Sequence, residues 1–174
     1  MSLGPGLFTG MRVGVAAAKA IAQALSVPVC GLASLDILAY EVRHSPKLIC
    51  AVLDARRGEV FDAFYRTSPG GIQRITDFMV EKPEHLATRI SSRPEDVLIV
   101  GNGAFLYKDV LEDLDSVEFG SMGHSFPTAT SVVELSLPRF FREDFDSLYE
   151  LKPLYLRRSA KRIQWDKIRS SRSA

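Results

Sequence analysis

The sequence predicts an α/β protein in which a mixed sheet is flanked by helices, and three stretches carry this prediction. Residues 48–53 form a continuous apolar run that ends in a charged turn, as a central strand does. Residues 97–100 form a second apolar run that leads into a glycine turn and a helical pattern, the order of a βα unit. Residues 13–25 are small and apolar except for Lys19 and Gln23, which lie four residues apart and therefore on one helix face.

Turn, cap and alternation signals predict the other elements. Thr9 and Ser34 are expected to cap the first two helices through their hydroxyl oxygens. Residues 68–71 form a turn, Pro83 suits the first turn of a helix, and Pro138 is expected to break the last helix early. After residue 25 we predict a strand at 29–32, a helix at 35–42, strands at 47–53, 60–66 and 72–80 in an antiparallel meander, a helix at 83–90, a strand at 97–100, a helix at about 105–114 and a helix capped by Thr128 or Ser131 that reaches about residue 140.

The 174-residue chain has the length of one domain or of two small lobes. The helix breaker His-Ser-Pro at residues 44–46 is the predicted boundary. It divides the chain into the remainder of an N-terminal lobe at 1–45, a C-terminal lobe at 46–152 and a basic tail at 153–174.

Composition and charge exclude several classes of protein. The net charge of +1 gives the whole chain no general attraction to nucleic acid, so any basic surface must be local. No stretch reaches the roughly 18 apolar residues that span a bilayer, and we expect a cytoplasmic protein without a membrane partner. Cys30 and Cys50 stand alone in apolar runs and are expected to be buried, reduced thiols.

The chain opens on a loop of three glycines and a proline at residues 4–10. Gly6, Thr9 and Gly10 would present backbone N–H groups at the positive end of the first helix, which suits a phosphate or a carboxylate. The same residues also suit a tight turn and a helix cap without a ligand. The spacing matches neither of the common phosphate-binding motifs.

The first helix lacks bulky side chains on most of its faces, so another backbone can approach it closely. Its small residues are Gly14, Ala16, Ala17, Ala18, Ala20, Ala22 and Ala24. Two interpretations stay open: the helix lies in the middle of the domain, or it is shared with a partner helix at an interface.

Two further stretches are candidates for ligand contact. Asp54, Arg56, Arg57 and Glu59 follow the central strand, where functional groups often lie, although a solvated hairpin with surface ion pairs is the interpretation that the residues favour. Residues 101–103 form a Gly-Asn-Gly turn whose glycines would admit an adenosine or phosphate, or serve only the conformation of the turn.

The C-terminal tail combines aromatic and basic residues, a mixture typical of nucleic-acid contact, although a frayed basic terminus is the commoner case. Its candidates for RNA contact are Arg157, Arg158, Lys161 and Arg162. The sequence has no H-E-x-x-H motif, no Cys/His cluster, no P-loop and no nucleophile elbow, so neither a metal site nor a self-sufficient active site is expected.

Four motifs together resemble the bacterial TsaB family, also called YeaZ. They are G-P-G-L-F-T-G-M-R-V-G at residues 4–14, G-L-A-S-L at 31–35, D-A-R-R-G-E-V at 54–60 and P-L-Y-L-R at 153–157. The first motif is highly specific, and Leu7 stands where the family usually has serine.

The resemblance implies an actin-like ATPase (ribonuclease H-like) fold with mixed sheets flanked by helices. It also implies a non-catalytic partner and scaffold of TsaD, the subunit that transfers threonylcarbamoyl to adenosine 37 of tRNA, and not a protease. The resemblance implies a second copy of the chain as an alternative partner, and TsaE as a further partner through the complex. It implies no required cofactor, and ATP or ADP only at a partner interface. The implied interface residues are Arg12, Val13, Ala16, Ala17, Ala20 and Ala24.

Family members begin with a strand, a hairpin, a helix and another strand before the G-P-G motif, whereas this chain opens at the motif itself. We therefore expect an incomplete, non-standard or self-associated first lobe and weak binding of nucleotide. The alternative to a scaffold is a stand-alone ATPase or kinase of the actin-like superfamily that uses Asp54 and residues 101–103 around ATP and magnesium.

Overall fold

The structure, a computed structural model, describes residues 1–156. Its helices are α1 (Phe8–Leu25), α2 (Ser34–Glu41), α3 (Pro83–Ser91), α4 (Asn102–Leu106), α5 (Lys108–Leu111) and α6 (Ala129–Phe141), with a 3-10 turn at Met122–His124. Its strands are β1 (Leu48–Arg56), β2 (Glu59–Ser68), β3 (Gly71–Arg74), β4 (Met79–Glu81), β5 (Val97–Val100) and β6 (Val117–Phe119).

The strands form one mixed sheet in the order β3-β2-β1-β5-β6, and β4 also pairs with β2. β1 runs antiparallel to β2 and parallel to β5, which in turn is parallel to β6. The predicted central strand, hairpin and βα unit are therefore confirmed, and β1 has a hydrogen-bonded neighbour on both edges.

Two hydrophobic cores cover the two faces of the sheet, because successive side chains of a strand point to opposite faces. Ile49 and Leu53 of β1 pack in one core with Leu38 of α2. Cys50 of β1 packs in the other with Leu86 of α3. The sheet is thus flanked by helices, as predicted, and the structure places them on both faces.

Several predicted helix signals were wrong. Thr9 lies inside α1, whose N-cap position is Leu7. Neither Thr9 nor Ser34 caps a helix. Ser34 is instead the first residue of α2, and its hydroxyl bonds to that of Ser2. Thr128 does cap α6 by accepting from the Ser131 N–H at 3.3 Å. Pro138 lies within α6 and does not break it. It stands in the last turn, where the missing N–H removes only one backbone hydrogen bond.

Three predicted spans were also wrong. Residues 29–32 do not form a strand, and Leu32 makes only an isolated parallel bridge to Ser2. The third strand of the meander is two strands, β3 and β4, because Thr76 Oγ1 between them accepts the Phe64 N–H of β2 at 3.0 Å. The helix predicted at 105–114 begins at Asn102 and is interrupted at Tyr107, which leaves the helical region at ψ 33°. The division into lobes at residue 45 stays a prediction.

The two cysteines are buried and unpaired. Within residues 1–156, none of the helices has both the length and the apolar character that a bilayer crossing requires.

We expect Gly101→Ala to destabilise the fold by about 2–5 kcal/mol, because it combines backbone strain with overpacking. Gly101 has φ 109°, and a Cβ there would lie 2.0 Å from the carbonyl oxygen of Val52. The control is Gly14→Ala in α1, where a Cβ meets no atom within 4 Å. That change should stabilise the protein by about 0.5–1 kcal/mol through helix propensity. Urea unfolding of both variants checks the pair, and equal stabilities would contradict the prediction.

Candidate functional site

Helix α1 is largely uncovered by the rest of the described chain. Of its 18 residues, only Val15 and Ala22 are buried. The six residues predicted to form an interface all lie exposed on this helix: Arg12, Val13, Ala16, Ala17, Ala20 and Ala24. Within residues 1–156 nothing covers these six side chains, and the helix offers its surface to solvent.

The exposed surface of α1 is apolar. Val13, Ile21 and Leu25 are 63%, 59% and 66% exposed, and alanines and glycines fill most positions between them. Residues 13, 17, 20 and 24 follow helical spacing and share one face. Because continuous apolar surface of this kind marks interaction sites in soluble proteins, α1 is the leading candidate for a functional surface.

A charged clamp holds the segment that follows α1. Arg139 of α6 forms two hydrogen bonds with the Asp146 carboxylate, at 3.1 and 3.2 Å, and also donates to the Gly31 carbonyl at 3.3 Å. The Gly31 N–H in turn donates to the Asp146 carboxylate at 2.6 Å, so Arg139 and Asp146 together bind both backbone groups of Gly31. Burial opposes ionisation of Asp146, but the hydrogen bonds from Arg139 and Gly31 hold its pKa below the ordinary value.

Arg12 is oriented by two aromatic rings at the start of α1. Its Nε donates to the Tyr155 hydroxyl at 2.8 Å, and its guanidinium carbon lies 3.9 Å from the centre of the Phe8 ring. The Phe8 and Tyr155 rings are 5.3 Å apart. In the part of the chain that the structure describes, the two terminal nitrogens of Arg12 have no hydrogen-bond or ion-pair partner. Arg12 therefore presents a fixed, unpaired guanidinium edge beside the apolar face.

The opening loop places Gly6, Thr9 and Gly10 together at the first turn of α1, where no side chain caps the helix. Gly4 suits its position because its φ of 103° lies in a region that residues with a side chain rarely adopt. Its carbonyl accepts the Ser34 N–H at 2.6 Å and so ties the loop to α2. An anion at Gly6, Thr9 and Gly10 stays a prediction.

Asp54 organises the hairpin between β1 and β2. Its carboxylate accepts the Arg56 N–H at 2.7 Å and pairs with the Arg56 guanidinium at 3.3 Å. Arg56 and Arg57 both have positive φ, 62° and 60°, and both side chains face solvent. The Asp54 side chain is only 5% exposed, so its main contacts are with the hairpin itself.

The glycine turn after β5 packs tightly on β1. A Cβ on Gly103 would lie 2.9 Å from the backbone of Leu53, which is too close for a side chain although less severe than the 2.0 Å at Gly101. The N–H groups of Gly101 and Asn102 donate to the carbonyls of His124 and Ser125, both at 2.8 Å. These glycines therefore serve packing, and two backbone donors of the turn already have partners.

The structure brings two of the predicted groups together and leaves a third apart. The Asn102 side chain accepts the Asp54 N–H at 3.1 Å, so Asp54, Arg56 and the turn at 101–103 form one group. Across residues 1–156, no hydrogen bond or ion pair links this group to the loop at 4–10. The predicted RNA contacts Arg157, Arg158, Lys161 and Arg162 lie outside the described residues.

No three His, Cys, Asp or Glu side chains in residues 1–156 are clustered so that they could hold a metal ion. The sequence interpretation missed Phe8 and Tyr155 as neighbours of Arg12. The four-residue spacing from Phe8 to Arg12 was a signal for the first contact, because such residues meet on a helix. Nothing in the sequence pattern indicated Tyr155.

Comparison with known proteins gave consistent matches over most of the chain. The family model described as "TsaD: tRNA N6-adenosine threonylcarbamoyltransferase" matches residues 1–165. The chain is 30% identical over 162 residues to the "tRNA threonylcarbamoyladenosine biosynthesis protein TsaB" of Bacillus subtilis (strain 168), covering 93% of this chain and 70% of that protein. It is 27% identical over 169 residues to the protein of the same name from Escherichia coli (strain K12), covering 95% and 71%.

A solved structure has the same arrangement. It is the crystal structure of a protein "with similarity to peptidase YEAZ" from Pseudomonas aeruginosa, with a TM-score of 0.75 and 26% identity. The match covers 90% of this chain and 71% of that one. Together with the family model, this similarity supports the predicted actin-like, ribonuclease H-like fold.

We expect Asp146→Asn to destabilise the fold by about 1 kcal/mol at neutral pH, because it removes a charged hydrogen-bond acceptor that is partly open to solvent. The pKa of Asp146 is lowered in the folded protein, so its contribution is present above the ordinary carboxyl pKa and is lost as the pH falls through the folded pKa. The difference between wild type and variant should therefore shrink on acidification toward about pH 3.

The matched control is Asp144→Asn. Asp144 also pairs with Arg139, at 3.0 Å, but its side chain is 59% exposed, and the Gly31 N–H donates to Asp146 instead. Its loss should cost less than the loss of Asp146. Denaturant unfolding at several pH values measures both, and a larger effect at Asp144 would show that the clamp is not centred on Asp146.

Proposed function

Because the chain belongs to the TsaB (YeaZ) family and thereby to tRNA threonylcarbamoyladenosine biosynthesis, we propose that it is a non-catalytic scaffold subunit that binds TsaD through helix α1. In this proposal TsaD transfers the threonylcarbamoyl group to adenosine 37 of tRNA, and this chain binds TsaD without taking part in the chemistry. The single observation that carries the proposal is the long, exposed and apolar surface of α1.

The small side chains of α1 support docking of a helix rather than of a flat surface. Packed helices approach to about 8 Å when the residues between them are small, which buries backbone as well as side chains. Ala17, Ala20 and Ala24 would form the floor of such a contact, with Val13 and Ile21 at its edges. An interface of this composition gains its stability from close packing and burial of apolar area.

The charges of α1 favour a different protein over a second copy as the partner. The helix carries Arg12 and Lys19 but no aspartate or glutamate. Pairing two copies of α1 would bring only cations to the contact, whereas a partner helix with a carboxylate could pair with the free edge of Arg12. Lys19 is already engaged, since its ammonium donates to the Leu151 carbonyl at 3.2 Å.

The proposal extends to the other parts of the assembly. ATP or ADP would be held at the interface with TsaD rather than at residues 101–103, where β1 fills the space beside the glycines. TsaE would join through the complex. The basic residues Arg157, Arg158, Lys161 and Arg162 would contact tRNA phosphates, and the assembly would work in the cytoplasm.

We expect Ala17→Glu and Ala20→Glu to weaken binding to TsaD from the same organism by at least about a hundredfold, because each buries an unpaired carboxylate in a close helix contact. Their unfolding midpoints should stay near that of wild type, since both sites are exposed in the free chain. Ala129→Glu on the exposed start of α6 is the control and should bind normally. Isothermal titration calorimetry with circular dichroism checks these outcomes, and normal binding by both α1 variants would sink the proposal.

The alternative of a stand-alone ATPase is tested in the same preparations. Turnover of ATP by the purified chain without TsaD, removed by Asp54→Asn, would support an enzyme and count against a scaffold. We expect no turnover above the buffer blank from either protein.

We expect Arg12→Gln to weaken binding to TsaD by about tenfold while leaving any self-association unchanged or stronger, because only a partner with a carboxylate loses an ion pair. Tyr155→Phe, which keeps the ring beside Phe8 but removes the acceptor of the Arg12 bond, should have a smaller effect. Sedimentation velocity measures self-association, and calorimetry measures binding to TsaD. Weaker self-association of Arg12→Gln with unchanged TsaD binding would contradict this prediction and favour a second copy of the chain as the partner.

A further inference from the structure

Asp62 of β2 is the one charged side chain that is completely buried in residues 1–156. One of its oxygens, Oδ1, accepts from Nη1 of Arg89 on α3 at 2.9 Å. The other oxygen, Oδ2, is buried without a hydrogen-bond partner. A carboxylate normally has all its lone pairs satisfied when it is buried, so this residue calls for an explanation.

A second carboxyl group lies against the same guanidinium nitrogen. Glu81 of β4 accepts from Arg89 Nη1 at 2.5 Å, and its side chain is only 10% exposed. The sheet register causes this closeness, because Val60 pairs with Glu81 and Asp62 pairs with Met79. Asp62 and Glu81 are therefore diagonal neighbours on one face of the β2–β4 pair.

Only one cation acts directly on Asp62. Glu81 from β4 and Arg89 from α3 act on it, while Arg93 from the end of α3 and Cys50 from β1 belong to the same buried cluster. Arg93 lies 4.2 Å from the centre of the Phe64 ring, and its Nε is buried without an acceptor. Burial raises the pKa of the Cys50 thiol well above its ordinary value, so this residue is neutral. One nitrogen of Arg89 thus serves two acidic groups.

We propose that Asp62 and Glu81 share one proton through Asp62 Oδ2, and that loss of this proton weakens the packing of β4 and α3 against β2. With the proton present, the Asp62 hydroxyl donates to Glu81, and Arg89 balances the one negative charge. When the proton leaves to solvent, two buried carboxylates face a single guanidinium nitrogen. The repulsion acts between β2 and β4 and weakens the hold of Arg89 on both strands.

The direction of the pH effect follows from the pKa of Asp62. Burial raises it, with Glu81 acting in the same direction and Arg89 opposing, and the result is a pKa of about 7. Because the folded pKa lies above the unfolded value, the stabilising contribution of the proton is complete below the ordinary carboxyl pKa. It is lost as the pH rises toward and through neutrality.

The test is urea unfolding of the whole chain between pH 5 and pH 8, for wild type and Asp62→Asn. We expect the unfolding constant of wild type to rise by about 10–100-fold more than that of the variant over this range, as release of one proton requires. Asp77→Asn, which neutralises an exposed acid between β3 and β4, is the control and should keep the wild-type slope. Equal slopes for wild type and Asp62→Asn would overturn the proposal.

A titration of the wild-type protein keeps the proposal testable if Asp62→Asn does not fold. The carbon-13 shift of the Asp62 carboxyl group, followed by nuclear magnetic resonance, should have a midpoint near neutral pH. Glu81→Gln should move that midpoint toward acid, because it removes the second negative charge. A wild-type midpoint below pH 5, or no shift in Glu81→Gln, would overturn proton sharing.

Hydrogen exchange tests the loosening itself. After correction for the intrinsic rate, the amides of Met79–Glu81 in β4 and of residues 84–91 in α3 should exchange faster at pH 8 than at pH 5.5, while those of Val97–Val100 stay constant. Equal protection of all three elements at both pH values would overturn the conformational part of the proposal.

Discussion

The burial of β1 on both faces and along both edges is the constraint on which the rest of the sheet depends. Because its alternate side chains enter two cores, helices must cover the sheet on both sides. Its backbone is also approached closely by the turn after β5, which admits only glycine at position 101. The five-residue helix α4 that follows is too short to be stable alone, so its contact with β1 determines where it forms.

Helix α1 lies outside this arrangement and is held differently. It buries only Val15 and Ala22, and its polar contacts go to irregular segments, as from Lys19 to the Leu151 carbonyl. The clamp of Arg139 and Asp146 fixes the chain just after it at Gly31. The two cores therefore do not depend on the exposed face of α1, which is why that face can be altered without touching either core.

Strands with continuous apolar runs could be predicted from the sequence, because burial on both faces removes polar residues from the pattern. The split of β3 from β4 could not, since it depends on the hydrogen bond from the Phe64 N–H to Thr76, a tertiary contact. Capping by Thr9 was wrong because α1 begins earlier, at Phe8. Small apolar residues such as Ala17 suit a core and an interface equally, so the sequence could not show that they are exposed in residues 1–156.

Arg12 and Asp62 show how burial decides the meaning of an incompletely paired charge. Arg12 is exposed, so water solvates its free edge at little cost and a partner's carboxylate can displace that water. Asp62 has no access to water, and an unpaired buried carboxylate oxygen would cost several kcal/mol if it stayed ionised. The first charge is therefore available to another molecule, while the second is resolved inside the fold by holding a proton. An exposed cation beside an apolar face thus keeps a free edge, whereas a buried acid without a full set of partners holds a proton.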